Sequence, residues 1–484
     1  MSRLILGIDE GTSAVKAALF DERLEVVAKT RRDKVSYHPR AGWVEQDAEA
    51  VLAAVVAVVG ELLADAPGEV VACGLDHQGE SVLAWDAVSG AALTPIVTWQ
   101  DKRSTTILDR LAPDEQEIRR RSGLPLDPYF SAGKLAWLLE EHDAVAGARN
   151  AGTLRMGTVD AFLCDRLGAG FATDASTASR TQLQALGSAG FDPWLCERFA
   201  IPTDVLPVVR DTVGALGVLR HRSWPSELAL CAQAVDQQAA LAGAGCVAPG
   251  RMKATYGTGV FVLAHAGSEI PEPRADLMTI VAWRIDGANT YAVEGGVLAA
   301  GAMLEWLCRE LGLAADPAAL GELARSVDGC DGVRVLPALS GLGAPWWRPN
   351  AHAVLAGVHA GTRRGHVARA ALEGICWRVA DIVAAIGDPP GGTALRVDGG
   401  LTNEPLLLAL QADAVGVPVE AGSSDATVAG IAALAAVGAG VLPSLEAAAA
   451  LLRVDRRVTP TRDARWRARE HAAWRDFVTA ASGL

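Results

Sequence analysis

The chain has no CxxC pair, no block of basic residues and no secretory leader pattern, and each absence removes a class of protein. Its eight cysteines (Cys73, Cys164, Cys196, Cys231, Cys246, Cys308, Cys330 and Cys376) are scattered, most in apolar runs such as that ending at Cys231. A chain of 484 residues needs no disulfide staples, so these are expected to be buried reduced thiols. Cys and His do not cluster, which leaves no candidate zinc site. Lys and Arg number 44 against 57 Asp and Glu, a net charge of −13. Nucleic acid and anionic membrane surfaces are thereby excluded as main partners. The opening Met1–Gly7 meets Asp9 at once and has no signal-peptide hydrophobic region, so a cytoplasmic location is expected. Ala426–Leu445 is uncharged, but it carries Gly430, Gly438, Gly440 and Pro443 and is richer in Ala than Leu. It predicts a small-residue helix packed inside a domain and followed by a turn, not a membrane span. The glycines and prolines follow no short period, which excludes a collagen-like or low-complexity chain.

What is present describes an acidic globular protein. Half of the residues are hydrophobic and 21% are charged. The length exceeds what one core usually carries, so two domains are expected, 1–245 and 246–484. Residues 4–21 place two apolar strands around a Gly-Thr-Ser turn, a hairpin that opens the protein. Residues 51–63 read as a largely buried helix, and Val70–Leu75 as a buried strand ending at Asp76-His-Gln-Gly-Glu80. A second hairpin with a Gly-Thr-Gly tip is predicted at Lys253–Leu263, which suggests a duplicated α/β architecture. A strand over Leu395–Asp398 leads through Gly399-Gly400 into a helix from about Pro405, a geometry that turns backbone N–H groups toward a phosphate or nucleotide. There is no GxxxxGK[ST], and no GxGxxG opens a helix after a strand. Phosphates would instead be held by the two hairpin tips.

These motifs carry a resemblance. Gly7-Ile-Asp-Glu-Gly-Thr-Ser13 resembles the first phosphate motif of the actin, hexokinase and Hsp70-type ATPases, Tyr256-Gly-Thr-Gly259 the second, and Val397-Asp-Gly-Gly400 the adenosine motif. Tyr129–Trp137, running to Glu141, and Ala353–Val358, continuing to Glu373, resemble the two signatures of the FGGY carbohydrate kinases. Within that family the pattern is closest to the glycerol kinases, through Gly42–Asp47, Trp99–Arg103, Asp127–Ser131, Gly157–Asp160, Ala178-Ser-Arg-Thr181, Asp236-Gln-Gln238 and Gly341–Trp346. The resemblance spans residues 4 to about 440 and implies a two-domain actin-like (ribonuclease H-like) α/β fold, duplicated, with a cleft between the domains.

It also implies ATP and Mg²⁺ as cofactors, a small polyol or sugar as acceptor, and a homodimer or homotetramer. Phosphoryl transfer rests on positioning, charge stabilisation and a base for the hydroxyl proton. By the resemblance the base is Asp236, whose other reading is a cap for a helix beginning at Gln237. Asp9 would hold Mg²⁺ through water. Gly11, Thr12, Ser13, Lys16, Thr258 and Gly259 would contact the phosphates, with Lys16 where the family usually has Arg. Gly301, Glu305, Gly400, Asn403 and Glu404 fall on the adenosine side, Glu305 and Glu404 replacing the usual Gln and Asn. The acceptor would meet Glu80, Trp99, Tyr129, Asp236 and Gln237, with Asp101 as a further candidate.

One departure stands out: Gly79 occupies the place of the family's acceptor-binding Arg. It predicts a lost guanidinium and open volume beside Glu80, hence weak glycerol binding or a longer acceptor such as erythritol, a pentitol or a pentulose. A non-catalytic nucleotide-binding regulator is the alternative outside enzymes. It would be expected to lose the base, and Asp236 is present.

Overall fold

Short runs of Val, Ile, Leu and Ala, buried on both faces, supply most strands of one large sheet, the pattern expected when helices cover both sides. In the computed structural model, which describes residues 2–272, 274–387, 389–422 and 425–483, these runs form a 13-stranded sheet. In chain order the strands are β1 (Arg3–Glu10), β2 (Ala14–Phe20), β3 (Val26–Asp33), β4 (Glu69–His77), β5 (Val213–Leu219), β6 (Leu228–Val235) and β7 (Met252–Tyr256). They continue as β8 (Val260–Gly267), β9 (Met278–Ile285), β10 (Ala288–Val297), β11 (Leu395–Asp398), β12 (Val419–Gly422) and β13 (Val454–Val458). Across the sheet the order is β13-β12-β11-β7-β8-β10-β9-β5-β6-β4-β1-β2-β3. Both edge strands are largely exposed and carry charge, Lys29, Arg31 and Arg32 on β3 and Asp455, Arg456 and Arg457 on β13, which discourages edge-to-edge pairing.

The duplication expected from the two hairpins is present in the pairing. β1 and β2 are antiparallel with β3 beyond them, while β4 runs parallel to β1 and β6 parallel to β4. The second half repeats this plan, with β7, β8 and β10 antiparallel, β11 parallel to β7 and β12 parallel to β11. The halves join where β5 meets β9, through Val213 and Ile285.

The helices used below are α1 (Ala48–Ala64), α2 (Ser131–Glu141), α3 (Ala175–Ser179), α4 (Asp236–Gly243), α5 (Gly301–Arg309), α6 (Pro405–Val415) and α7 (Ala426–Gly438). Asp47 caps α1 by accepting from Ala50 N at 3.0 Å. Helix α4 follows β6 and α7 follows the equivalent β12, so the two helices occupy matching places in the repeat. They pack on each other at glycines. A Cβ on Gly430 would lie 1.8 Å from the Ala239 carbonyl oxygen, and one on Gly243 would lie 1.9 Å from that of Ala426. Helix α7 also lies on β4, where a Cβ on Gly74 would come within 2.5 Å of the Ile431 carbonyl oxygen. Close backbone packing therefore explains the uncharged Ala/Gly run. No helix among the described residues is long and apolar enough to cross a membrane. All eight cysteines are free, and all but Cys330 are buried.

Candidate active site

Parallel strands deliver their C-terminal ends to one edge of the sheet, and the polar residues of the cleft collect there. Asp9, the second-last residue of β1, lies directly opposite Asp76 on β4, and Asp76 lies opposite Ala234 on β6, two residues before Asp236. Asp236 is half-buried at the start of α4, but it does not cap that helix. Val235 holds the cap position, and no described residue donates a hydrogen bond to the Asp236 carboxylate. Burial, Asp9 and Glu80 push its pKa up to about 7, with Arg180 and Lys253 pulling the other way. An unengaged carboxyl titrating near neutrality suits a general base.

Asp76 is fully buried with no hydrogen-bond partner for either carboxylate oxygen, and burial, Asp9 and Asp236 raise its pKa well above the carboxylate range. Asp9, Asp76 and Asp236 thus stand near one another with few donors among them. No set of three His, Cys, Asp or Glu side chains among the described residues converges as bare metal ligands. A divalent cation at this place would have to keep most of its waters. Lys16 Nζ lies 3.4 Å from Asp9 Oδ2. Burial works against its charge, yet Asp9, with Asp425 and Asp76, raises its pKa.

On the acceptor side, Glu80 follows β4 in a left-handed conformation (φ 60°), a strained backbone of the kind that collects at functional sites. Its Oε1 accepts from Arg180 Nε at 2.5 Å. The same guanidinium donates to Glu294 Oε2 at 2.5 Å and Oε1 at 3.0 Å, and to the Tyr129 hydroxyl at 3.3 Å. Arg180 follows α3 in the first half of the chain, and Glu294 is on β10 in the second. Trp99 meets Tyr129 edge-on at 5.7 Å and Phe261 at 6.5 Å between ring centroids, while its indole N–H donates to Thr12 Oγ1 at 2.9 Å. Gln237 offers its amide N–H groups, since its Oε1 already accepts from Lys253 Nζ at 2.6 Å.

Two expectations for this pocket are corrected. Gly79 leaves no open volume beside Glu80. A Cβ there would lie 2.8 Å from Val235 Cγ1 and 3.5 Å from Arg180 Nε, so the space is filled and the guanidinium is supplied from elsewhere in the chain. Asp101 does not recognise hydroxyls. It is fully buried, accepting from Val44 N at 2.6 Å and from the Arg103 main-chain N, Nε and Nη2 at 2.8, 2.9 and 2.8 Å. That arginine stacks on Trp43 and Trp137, so the pair is a structural clamp.

The residues expected on the nucleotide side are those of the hairpin tips and the glycines beyond β11. Gly11, Thr12 and Ser13 turn between β1 and β2, and Thr258 and Gly259 between β7 and β8. Helix α5 docks on the second tip. Gly301 N donates to Gly257 O at 3.1 Å, and a Cβ on Gly301 would sit 2.6 Å from that oxygen. Gly400 and Asn403 are exposed, and nothing lies within 4 Å of where a Gly400 side chain would begin, a clear face for a ring. Glu305 is exposed on α5. Glu404 is engaged within the protein: its Oε1 caps α6 by accepting from Leu406 N at 2.9 Å and also pairs with Arg325.

Arg180, Glu294, Asp76, Lys253 and Phe261 contact or adjoin these candidate residues, a placement that was not readable from the sequence. Arg180 lies inside the Ala178–Thr181 motif, and Glu294 is the lone charge in the apolar stretch Tyr291–Val297. Those two had a signal; nothing separated Asp76, Lys253 or Phe261 from ordinary strand residues.

Comparison with known proteins agrees with this geometry. Residues 4–243 match the N-terminal domain of the FGGY family of carbohydrate kinases, and residues 252–439 match its C-terminal domain. The chain is 38% identical to a glycerol kinase of Methylobacterium nodulans, covering 99% of this chain and 98% of that one. It is 39% identical to one of Geobacter sp., covering 99% of each. Among solved structures, Plasmodium falciparum glycerol kinase with ADP superposes with a TM-score of 0.91 at 28% identity, over 99% of this chain and 98% of that one. A xylulose kinase of Lactobacillus acidophilus shares the fold, with a TM-score of 0.87 at 21% identity over 99% of each chain. The chain belongs to the FGGY family of carbohydrate kinases, phosphotransferases that use ATP and act on a hydroxyl group.

Proposed function

We propose that the protein phosphorylates glycerol, with Asp236 as the base, Mg²⁺ beside Asp9, and a homodimer or homotetramer in the cytoplasm as the working form. The observation that carries the choice of acceptor is the buried Glu80–Arg180–Glu294 group with Tyr129. It supplies a guanidinium and a carboxylate next to Asp236, in a space narrowed by Trp99 and Phe261. Full-length likeness to glycerol kinases supports the same reading.

In this reading Glu80 and Arg180 engage two hydroxyls, and the Trp99 ring covers the carbon chain. Asp236 takes the proton of the third hydroxyl as its oxygen bonds to the γ-phosphorus of ATP and the bond from that phosphorus to the bridging oxygen of ADP breaks, releasing ADP. Gly11, Thr12, Ser13, Thr258 and Gly259 hold phosphate oxygens, and Gly400 and Asn403 border the adenine. Lys16 and Asp9 lie where the phosphates and a hydrated Mg²⁺ would meet; the cation would neutralise charge on the transferring group. Trp99 and Thr12 are hydrogen-bonded, so acceptor and phosphate sites share one contact. The test is ADP release from ATP and Mg²⁺ across glycerol, erythritol, ribitol, xylitol, xylulose and ribulose. Best turnover on glycerol is expected; best turnover on a longer acceptor would refute the choice.

A further inference from the structure

Lys134 is a cation in a place that disfavours one. It is fully buried, and it lies in the first turn of α2, where the helix dipole opposes positive charge. Among the described residues no carboxylate hydrogen-bonds to it. Its three N–H donors go instead to three successive carbonyl oxygens, Pro128 at 3.0 Å, Tyr129 at 2.6 Å and Phe130 at 2.8 Å. These residues form the loop that presents the Tyr129 ring to Trp99 and the Tyr129 hydroxyl to Arg180.

We propose that Lys134 is a positioning residue of the acceptor site: its ammonium gathers the carbonyls of residues 128–130 and thereby sets Tyr129 against Trp99 and Arg180. The inference rests on Tyr129 bordering the acceptor, as in the function proposed above. Donor arithmetic gives it a consequence. An ammonium satisfies three carbonyls, whereas a neutral amine has two N–H groups and turns a lone pair on the third oxygen. Burial lowers the Lys134 pKa to about 7, against the raising effect of Glu80 after β4, Asp101 beyond Trp99 and Asp127 ahead of α2; Arg103 adds to the lowering. The loop is therefore fully tied below about pH 7 and loosens above it.

The test uses the full chain. In the wild type, acceptor KM should rise, by about tenfold, as pH increases through about 7, with ATP KM unmoved. Lys134→Met should raise acceptor KM by a similar factor at low pH and flatten its pH dependence. Because that variant removes a buried group, a second readout uses the wild type without ligands. Amide exchange across residues 127–132, corrected for its intrinsic pH dependence, should accelerate above about pH 7. Unchanged exchange, or an ATP KM that moves in step with the acceptor KM, overturns the inference. Absence of turnover on any acceptor, with the exchange change present, overturns the function reading and leaves Lys134 in its place.

Discussion

Replacing Arg180 by Met removes the guanidinium from between Glu80 and Glu294, whose side chains are 3% and 0% exposed. The methionine fills much of the volume but leaves two buried carboxylates facing each other. Removing one partner of a buried ion pair costs about 3–5 kcal/mol, because the remaining charge is uncompensated. Each kcal/mol lowers Tm by about 2–4 °C for an unfolding unit the size of one half of this chain, so a fall of about 6–20 °C is expected. The pH dependence follows from the same groups. Burial already raises the Glu80 pKa even with Arg180 opposing it. Without Arg180 the folded-state pKa rises further above the unfolded value. Stability is then retained at low pH, where the carboxyl is protonated, and is lost as pH rises through the folded pKa. The Tm deficit should accordingly be smaller at about pH 5 than at about pH 8, and a second change, Glu294→Gln, should recover part of it. Thermal unfolding of the three proteins at both pH values reads this directly, with acceptor KM measured in parallel. A deficit of under about 2 °C that does not vary with pH would refute the view that Arg180 is the hub of the pocket.

Asp236→Asn should reduce kcat by about 10²–10⁴-fold, and wild-type kcat should climb as pH rises through about 7, since the base works only when ionised. A flat kcat profile would contradict the assignment. Gly79→Arg should lower Tm without improving glycerol affinity, because even its Cβ would fall 2.8 Å from Val235; overpacking of this kind costs about 1–3 kcal/mol. Improved glycerol KM in that variant would show the space to be free after all. Gly430→Ala should be far more damaging than Ala substitution at exposed Gly147, since its Cβ would meet the Ala239 carbonyl oxygen at 1.8 Å and force α4 and α7 apart. Equal Tm for the two variants would argue against that helix contact.

Much of the scaffold was legible because it rests on local patterns. Apolar runs around Gly-Thr turns marked both hairpins, and their recurrence suggested the duplication now seen in the matching arrangements of β1, β2 and β4 and of β7, β8 and β11. The glycine-spaced Ala run over Ala426–Gly438 was readable as a packed helix because small residues mark close backbone contact. Asp236, Glu80, Trp99 and Tyr129 were legible through the family resemblance of their motifs; Arg180 links Glu80 to Tyr129, and Trp99 lies edge-on to Tyr129. The misreadings share one cause: at least one group that closes on each residue comes from a distant part of the chain. Gly79 looked like a lost guanidinium because Arg180, which fills the space, is a hundred residues away. Asp101 looked free until Arg103 and the Val44 amide closed on it. Glu404 looked like a nucleotide contact, but Arg325 and the Leu406 amide both engage its Oε1. Asp76 could be recognised only once the strand register set it opposite Asp9.

The central claim is tested most directly by coupling ADP release to the identity of the phosphorylated product, with ATP, Mg²⁺ and the acceptor panel, in wild type and Asp236→Asn side by side. The account predicts glycerol phosphate as the preferred product of the wild type and almost none from the variant. Preferred turnover of a longer polyol or a ketose would contradict the acceptor assignment, and undiminished turnover by Asp236→Asn would contradict the mechanism.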